Sequence, residues 1–266
     1  MKKIKHRKKL DINKMQIICL VIFITCSFYI FYDFYCNYKE GQNNKEIAHI
    51  FYEKNEETAA EIENKTEKMI QLEELQKENP DIVGWLMIPG TKIDYPVLQD
   101  TDNLYYLTHN YKKEDSKNGS IFLDMNFDLE KPSTNYLIYG HRTKYGQMFE
   151  DLINYKKEEF YQENSTIQFT TLNEDSKYEI IAVFLSRVYS TNETNVFRYY
   201  YFIDANSKEE FDYYVQNSKE ASLYEIEKTA TYGDQLLTLS TCEYSQIDGR
   251  LVIVAKKVDH SKASIK

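Results

Sequence analysis

Cysteine is scarce in this chain, and what there is of it lies mostly outside the part that can fold. Of four cysteines in 266 residues, Cys19 and Cys26 lie in an uncharged apolar run, Cys36 follows that run closely, and Cys242 stands alone in the remaining body. A body with one cysteine has no internal disulfide framework. Glycine (8) and proline (4) are too few for a collagen-like repeat or linker-rich disorder. Basic charge is missing from most of the chain as well. The first fourteen residues, MKKIKHRKKLDINK, hold seven Lys/Arg and one Asp, while the whole chain is at −9, so the rest carries about −15. An acidic body does not bind nucleic acid, which takes a basic face to displace counterions. The sequence has no internal repeat, no low-complexity segment and no acidic cluster of the kind that would hold calcium. No cofactor or metal is expected. Aromatics, in contrast, are plentiful: 24 tyrosines bring them to 15% of the chain, enough to fill a core.

Met15 to Tyr32 reads MQIICLVIFITCSFYIFY, without a charge. That is just long enough to span a bilayer as a helix. The Lys/Arg cluster before it predicts a cytoplasmic N-terminus and a body outside the cell. No small-x-small cleavage site follows, and Cys36 lacks the small residues that precede a lipidated cysteine, so the run is expected to be an uncleaved anchor rather than a signal peptide. The predicted organisation is a basic cytoplasmic tail (1–14), a transmembrane anchor (15–32), an extracellular stalk with N-terminal helices (33–77), a folded β-rich domain (78–260) and a short tail (261–266).

In the stalk, Ile47, Ile50, Phe51, Ile62, Met69, Ile70 and Leu75 form a broken helical stripe. After Pro80 the pattern changes to short apolar runs at 82–88, 92–98, 119–125, 135–139, 166–172, 178–188, 236–241 and 250–258, with Pro96 marking an edge or irregular strand. Helices are predicted over 148–164 and 207–218, the second with Ser207 as N-cap and Glu210 three residues on. Most connections are too short for parallel crossovers, so the fold class is mostly β, a mainly antiparallel closed or half-closed barrel.

Cys242 sits where the strand TLST ends, not inside an apolar run. A cysteine nucleophile needs a proton-handling partner, donors for an oxyanion and an exposed strand end. Among the histidines of the body, His49 lies in the stalk, His260 in a polar tail and His109 in a loop. His141 directly follows the strand YLIYG, the same strand-end placement as Cys242. Arg250 opens the strand RLVIVAKKV. Its guanidinium stays charged at any working pH and offers two donors, and a short turn through Asp248-Gly249 brings it beside Cys242 if the two strands pair.

TLSTC at 238–242, the arginine opening RLVIVAKK, YGH at 139–141, GSIFLDM with Asn126, QDTDNLYYL before it, and the helix-bearing stretch between Ser186 and Gln235 together resemble class B sortases over roughly residues 78–258. The resemblance implies a closed eight-stranded β-barrel with N-terminal helices and a helix-bearing insertion between the sixth and seventh strands. It implies a membrane-anchored cysteine transpeptidase of Gram-positive bacteria that cuts a C-terminal sorting signal of the LPxTG or NPxTN type after Thr. The acyl fragment is held as a thioester and passed to a cell-wall amine. The implied partners are secreted proteins bearing the signal, the lipid-linked peptidoglycan precursor, and the membrane through the N-terminal helix. Carried over by motif, Cys242 is the nucleophile, His141 the general acid/base and Arg250 the oxyanion and substrate ligand. Asn103, Leu107, Ser240 and Glu243 match substrate-groove positions, and Phe197 falls in the loop that closes over the peptide. Beside cell-wall anchoring stand pilin polymerisation with a Lys amine as acceptor, an inactive membrane-tethered peptide-binding module, and a plain cysteine protease.

Overall fold

The apolar run that opens the chain continues into a long helix, α1 (Lys14–Tyr52), in the computed structural model, which describes residues 14–53, 66–131, 133–143 and 145–258. The basic residues 1–13, Ile62 and His260 lie outside the described residues. Two compact units divide after Gln42. In the first, the apolar side chains of α1, such as Phe23, Phe28 and Phe31, are exposed, and the helix is long and apolar enough to cross a bilayer by length and composition.

The second unit is built on eight strands: β1 (Ile82–Met87), β2 (Asp94–Leu98), β3 (Ile121–Leu123), β4 (Asn135–Tyr139), β5 (Thr166–Thr171), β6 (Asp175–Arg187), β7 (Leu236–Cys242) and β8 (Gly249–Lys257). They close into a barrel in the order β1-β2-β3-β4-β7-β8-β6-β5. Two pairs, β2–β3 and β4–β7, are parallel, and the others are antiparallel. Pro96 sits where β2 pairs with β1 alone, because β3 joins only at Val97 and Leu98. Its missing N–H therefore costs the sheet no bond on the β3 side.

The barrel interior is filled by residues such as Leu86, Val97, Ile138, Phe169, Leu239 and Ile253. A second cluster lies outside β1, where Ile47 and Phe51 of α1 and Leu72 and Leu75 of α2 (Glu67–Glu78) cover Ile82 and Trp85. Phe51 stacks on Trp85 with ring centres 4.0 Å apart. The insertion between β6 and β7 covers the outside of β4 and β7. Its helix α4 (Lys208–Glu220) starts at Ser207, whose hydroxyl accepts from the Glu210 N–H at 3.2 Å, as the sequence predicts. From α4, the Tyr214 hydroxyl meets Thr238 Oγ1 at 2.7 Å, Thr238 donates to Asn135 Oδ1 at 2.8 Å, and Asn135 Nδ2 donates to the Phe202 carbonyl at 2.8 Å. β4 and β7 are thus buried on both faces, and the polar Asn135 and Thr238 on the covered face are hydrogen-bonded.

The helix predicted over 148–164 is not one α-helix. Met148 takes a left-handed φ of 53°, a 3₁₀ stretch runs Glu150–Lys156, and only α3 (Glu158–Glu163) is α-helical. The reason lies in the spacing of Phe149, Leu152 and Tyr155, all fully buried. Their three-residue repeat keeps one face at three residues per turn and drifts at 3.6.

Candidate active site

Parallel pairing of β4 and β7 delivers the C-terminal residues of both strands to one rim. Tyr139 is opposite Ser240, and the Gly140 N–H continues the ladder to the Ser240 carbonyl at 3.2 Å. Two residues beyond that pair on each strand stand His141 and Cys242. The Thr241 hydroxyl donates to the Gly140 carbonyl at 2.8 Å and fixes the rim between them. β8 starts antiparallel to β7, with Arg250 the cross-strand partner of Cys242, so the two side chains share a face. The turn that joins them is tight. Asp248 takes φ 54°, the Glu243 N–H donates to the Gly249 carbonyl at 2.9 Å, and a Cβ on Gly249 would lie 2.3 Å from the Glu243 carbonyl oxygen.

The Cys242 thiol and the His141 imidazole line the same cleft, and each shifts the other's proton affinity. The neighbouring His141 imidazole, aided by the positive charge of Arg250 and opposed by burial, pulls the thiol below its ordinary pKa. The Cys242 thiol in turn, aided by the Leu107 carbonyl and opposed by burial, raises the imidazole above its own. Both directions favour a thiolate–imidazolium pair. His141 Nε2 lies 2.8 Å from the Leu107 carbonyl oxygen. A carbonyl only accepts, so Nε2 carries a proton. Arg250 spends Nη1 on the carbonyls of Asp248 (3.2 Å) and Gly249 (2.9 Å). Its Nη2 makes no hydrogen bond to the described residues and is open to a ligand.

These three side chains open on one cleft of about 250 Å³ that is also lined by Asn103, Leu107 and Ser240. The structure therefore gathers six of the eight candidate residues. Two it does not. Glu243 points away from the cleft and is buried, taking hydrogen bonds from Lys156 Nζ (3.0 Å), the Ser245 N–H (2.9 Å) and the Ser245 hydroxyl. Burial works against its charge, but the Ser245 donors and Lys156 outweigh it and hold the pKa at about 2. Phe197 packs against Phe184 and Tyr214 and lines a separate surface hollow beside α4. The intervening 3₁₀ turn Tyr199–Tyr201 faces the cleft of Cys242 instead through Tyr199 and Tyr200.

Asn103 is in place, but its amide is engaged. Nδ2 donates to Asp124 Oδ2 at 2.9 Å and Oδ1 accepts from the Met125 N–H at 2.8 Å. Asp124, buried under the cleft, also accepts from the Tyr139 hydroxyl at 3.1 Å. Ser240 likewise meets the buried hydroxyl of Tyr199 at 2.7 Å. Sequence reading missed Tyr139, Tyr199 and Asp124. Tyr139 lies in YGH and Asp124 in GSIFLDM, so the signal was present in the motifs. Nothing local distinguishes Tyr199 among its neighbours Tyr200 and Tyr201. Among the described residues no group of His, Cys, Asp and Glu is arranged to hold a metal ion.

Comparison with known proteins identifies the family. The sortase domain family matches residues 86–258. Sortase B of Listeria monocytogenes is 36% identical over 248 residues, 92% of this chain and 96% of the relative. Sortase B of Staphylococcus aureus is 31% identical over 254 residues, 94% of this chain and 98% of the relative. Among solved structures, a sortase B from B. anthracis superposes with a TM-score of 0.72 at 35% identity, covering 85% of this chain and 99% of that one. A Staphylococcus aureus sortase B–substrate complex superposes at 0.70 with 28% identity, over 85% of this chain and 99% of that one. With its eight-stranded barrel and with a strand-end cysteine, histidine and arginine around one cleft, the chain belongs to the sortase family of transpeptidases, and within it to class B.

Proposed function

We propose that this enzyme cuts a C-terminal sorting signal of the LPxTG or NPxTN kind after its Thr and joins the freed acyl group to a cell-wall amine. The observation that carries the reading is the meeting of Cys242, His141 and Arg250 at one barrel rim around one cleft. The Cys242 thiolate attacks the Thr carbonyl carbon, and the oxyanion forms within reach of the open Nη2 of Arg250. Collapse expels the C-terminal fragment as an amine, which takes its proton from His141, leaving a thioester and a neutral imidazole. An incoming amine then attacks the thioester and gives a proton back to His141. The thiolate leaves, the new amide departs, and the thiolate–imidazolium pair is restored. The acceptor we assign is an amine of the lipid-linked peptidoglycan precursor. The basic N-terminal residues keep that end in the cytoplasm, α1 crosses the membrane, and the barrel meets its substrates outside.

The test is intact mass of residues 43–266 mixed with LPxTG-like and NPxTN-like peptides, with and without a glycine-type amine, beside Cys242→Ala. A solved sortase B at 29% identity and a TM-score of 0.72 is complexed with triglycine, which makes that amine the first to try. A thioester-sized mass gain that needs Cys242, followed by a ligated peptide once amine is added, is the expected result. Peptide binding without any adduct would overturn the reading and leave a binding module. Hydrolysis indifferent to amine would leave a protease.

A further inference from the structure

A cysteine–histidine pair needs something to hold the imidazole in the right tautomer and orientation, and in many sites a carboxylate or amide side chain does this. Here the titratable and charged groups facing His141 are Cys242 at the end of β7 and Arg250 on β8. Neither can accept a proton from Nε2 and still serve the reaction. The group that does accept is the backbone carbonyl of Leu107, 2.8 Å away. It belongs to a 3₁₀ turn, Tyr105–Leu107, in the long connection between β2 and β3.

That carbonyl is itself held from behind. The Ser120 N–H donates to the Tyr106 carbonyl at 2.8 Å, the Ser116 N–H to the Thr108 carbonyl at 2.8 Å, and the Ser120 hydroxyl to the His109 carbonyl at 2.9 Å. Gly119 lies between these ties, directly against the turn. Its φ is +55°, and a Cβ there would fall 2.5 Å from the Tyr106 oxygen, 2.7 Å from the Leu107 oxygen and 2.9 Å from the Leu107 carbonyl carbon. Only glycine fits both the backbone angle and the space. The obstructing atoms are backbone, so any side chain must move the carbonyl that orients His141.

On the reading that His141 is the acid/base of Cys242, we propose that the Leu107 carbonyl is the third member of the catalytic group, the orienting acceptor, and that Gly119 is a positioning residue that sets it. Nε2–H is thereby committed to Leu107, and Nδ1 is the nitrogen that exchanges the proton with the thiol and with the amines. The role of an acidic side chain in a triad is filled by a neutral carbonyl, which orients the ring without adding a negative charge beside the thiolate.

The first test needs no substitution in the working enzyme. The full chain in detergent micelles, labelled with ¹⁵N-histidine, is titrated past the His141 transition, with His141→Gln to assign the signal. The expected neutral ring carries its proton on Nε2; a proton on Nδ1 would overturn the proposal. The second test is the pH profile of peptide turnover for Gly119→Ala, with Gly233→Ala as control. Gly233 also has a left-handed φ, +101°, but open space around its Cβ, so it carries the backbone penalty without the displacement. Gly119→Ala is expected to lose tenfold or more in kcat and to move the alkaline limb, which reports the imidazolium, to lower pH, with Gly233→Ala keeping the parent profile. A folded Gly119→Ala with the parent profile would sink the positioning role while leaving the transpeptidase reading intact. Full turnover by Cys242→Ala would sink that reading itself, whatever Gly119 does.

Discussion

In the proposed reaction Arg250 does two jobs with one planar group. Nη1 ties it to the carbonyls of Asp248 and Gly249 at the end of the β7–β8 turn, and Nη2 remains for substrate. A lysine keeps the charge but has a single nitrogen and no fork, so it must give up either the turn or the oxyanion. Arg250→Lys is therefore expected to lower kcat/KM by roughly 100-fold, the scale of losing one preorganised oxyanion donor. Melting temperature should hold within a few degrees, because the residue is only half-buried. Steady-state peptide turnover and a thermal melt check this together. A variant with parent-like turnover would remove Arg250 from the chemistry.

The β7–β8 turn links Cys242 to Arg250, and it is pinned from outside the barrel rim. Lys156, at the end of the 3₁₀ stretch, donates to Glu243, the residue after Cys242. The sign of the pH effect follows from the glutamate. Its folded pKa of about 2 is below the ordinary value of about 4.3, so the stabilisation is complete above about pH 4.3 and is lost as pH falls through about 2. Lys156→Met should destabilise the barrel by about 1–2 kcal/mol near neutrality, a discounted figure because the lysine is partly exposed. The gap to the parent should close as pH falls below about 4. Urea midpoints measured from pH 3 to 7 test it, and a gap independent of pH would mean that the lysine acts through packing alone. Such a latch was not legible in the sequence. Glu243 follows Cys242 in the motif and reads as a groove residue, but its side chain turns to an element almost ninety positions earlier. The same limit hid the parallel pairing of β4 with β7. Each strand was readable from its own apolar run, as were the turn at Asp248-Gly249 and the Ser207 cap, because those signals are local. Which strands adjoin across the long insertion is decided by tertiary packing, and the His141–Cys242 meeting depends on it. The resemblance of short motifs, not periodicity, brought those two residues together in advance.

At the scale of the molecule, the question is how much of the chain the catalytic unit needs. The barrel does not cover its own outer face at β1. Ile47 and Phe51, in the last turns of α1, are buried there with Trp85, and the Tyr52 hydroxyl and Trp85 Nε1 both donate to Asp94 Oδ1, at 2.8 and 2.7 Å. Gln71 Nε2 of α2 donates to the Glu53 carbonyl at 2.7 Å. These contacts begin after Gln42, where the second compact unit starts. Two truncations separate tether from scaffold. Residues 43–266 should melt as the full chain does and turn over soluble peptide at an unchanged rate, because nothing in the cleft is removed. Residues 54–266 lose Ile47 and Phe51 and should be less stable by about 3–5 kcal/mol, the cost of deleting one large buried aromatic, with the isoleucine adding to it. Chemical denaturation of both, read alongside peptide turnover, decides the matter. Equal stability of the two would show that the end of α1 is dispensable cover. Loss of turnover in residues 43–266 would place the leading part of α1 within the catalytic unit. The expected pattern would leave the leading part of α1 as a tether to a self-sufficient transpeptidase.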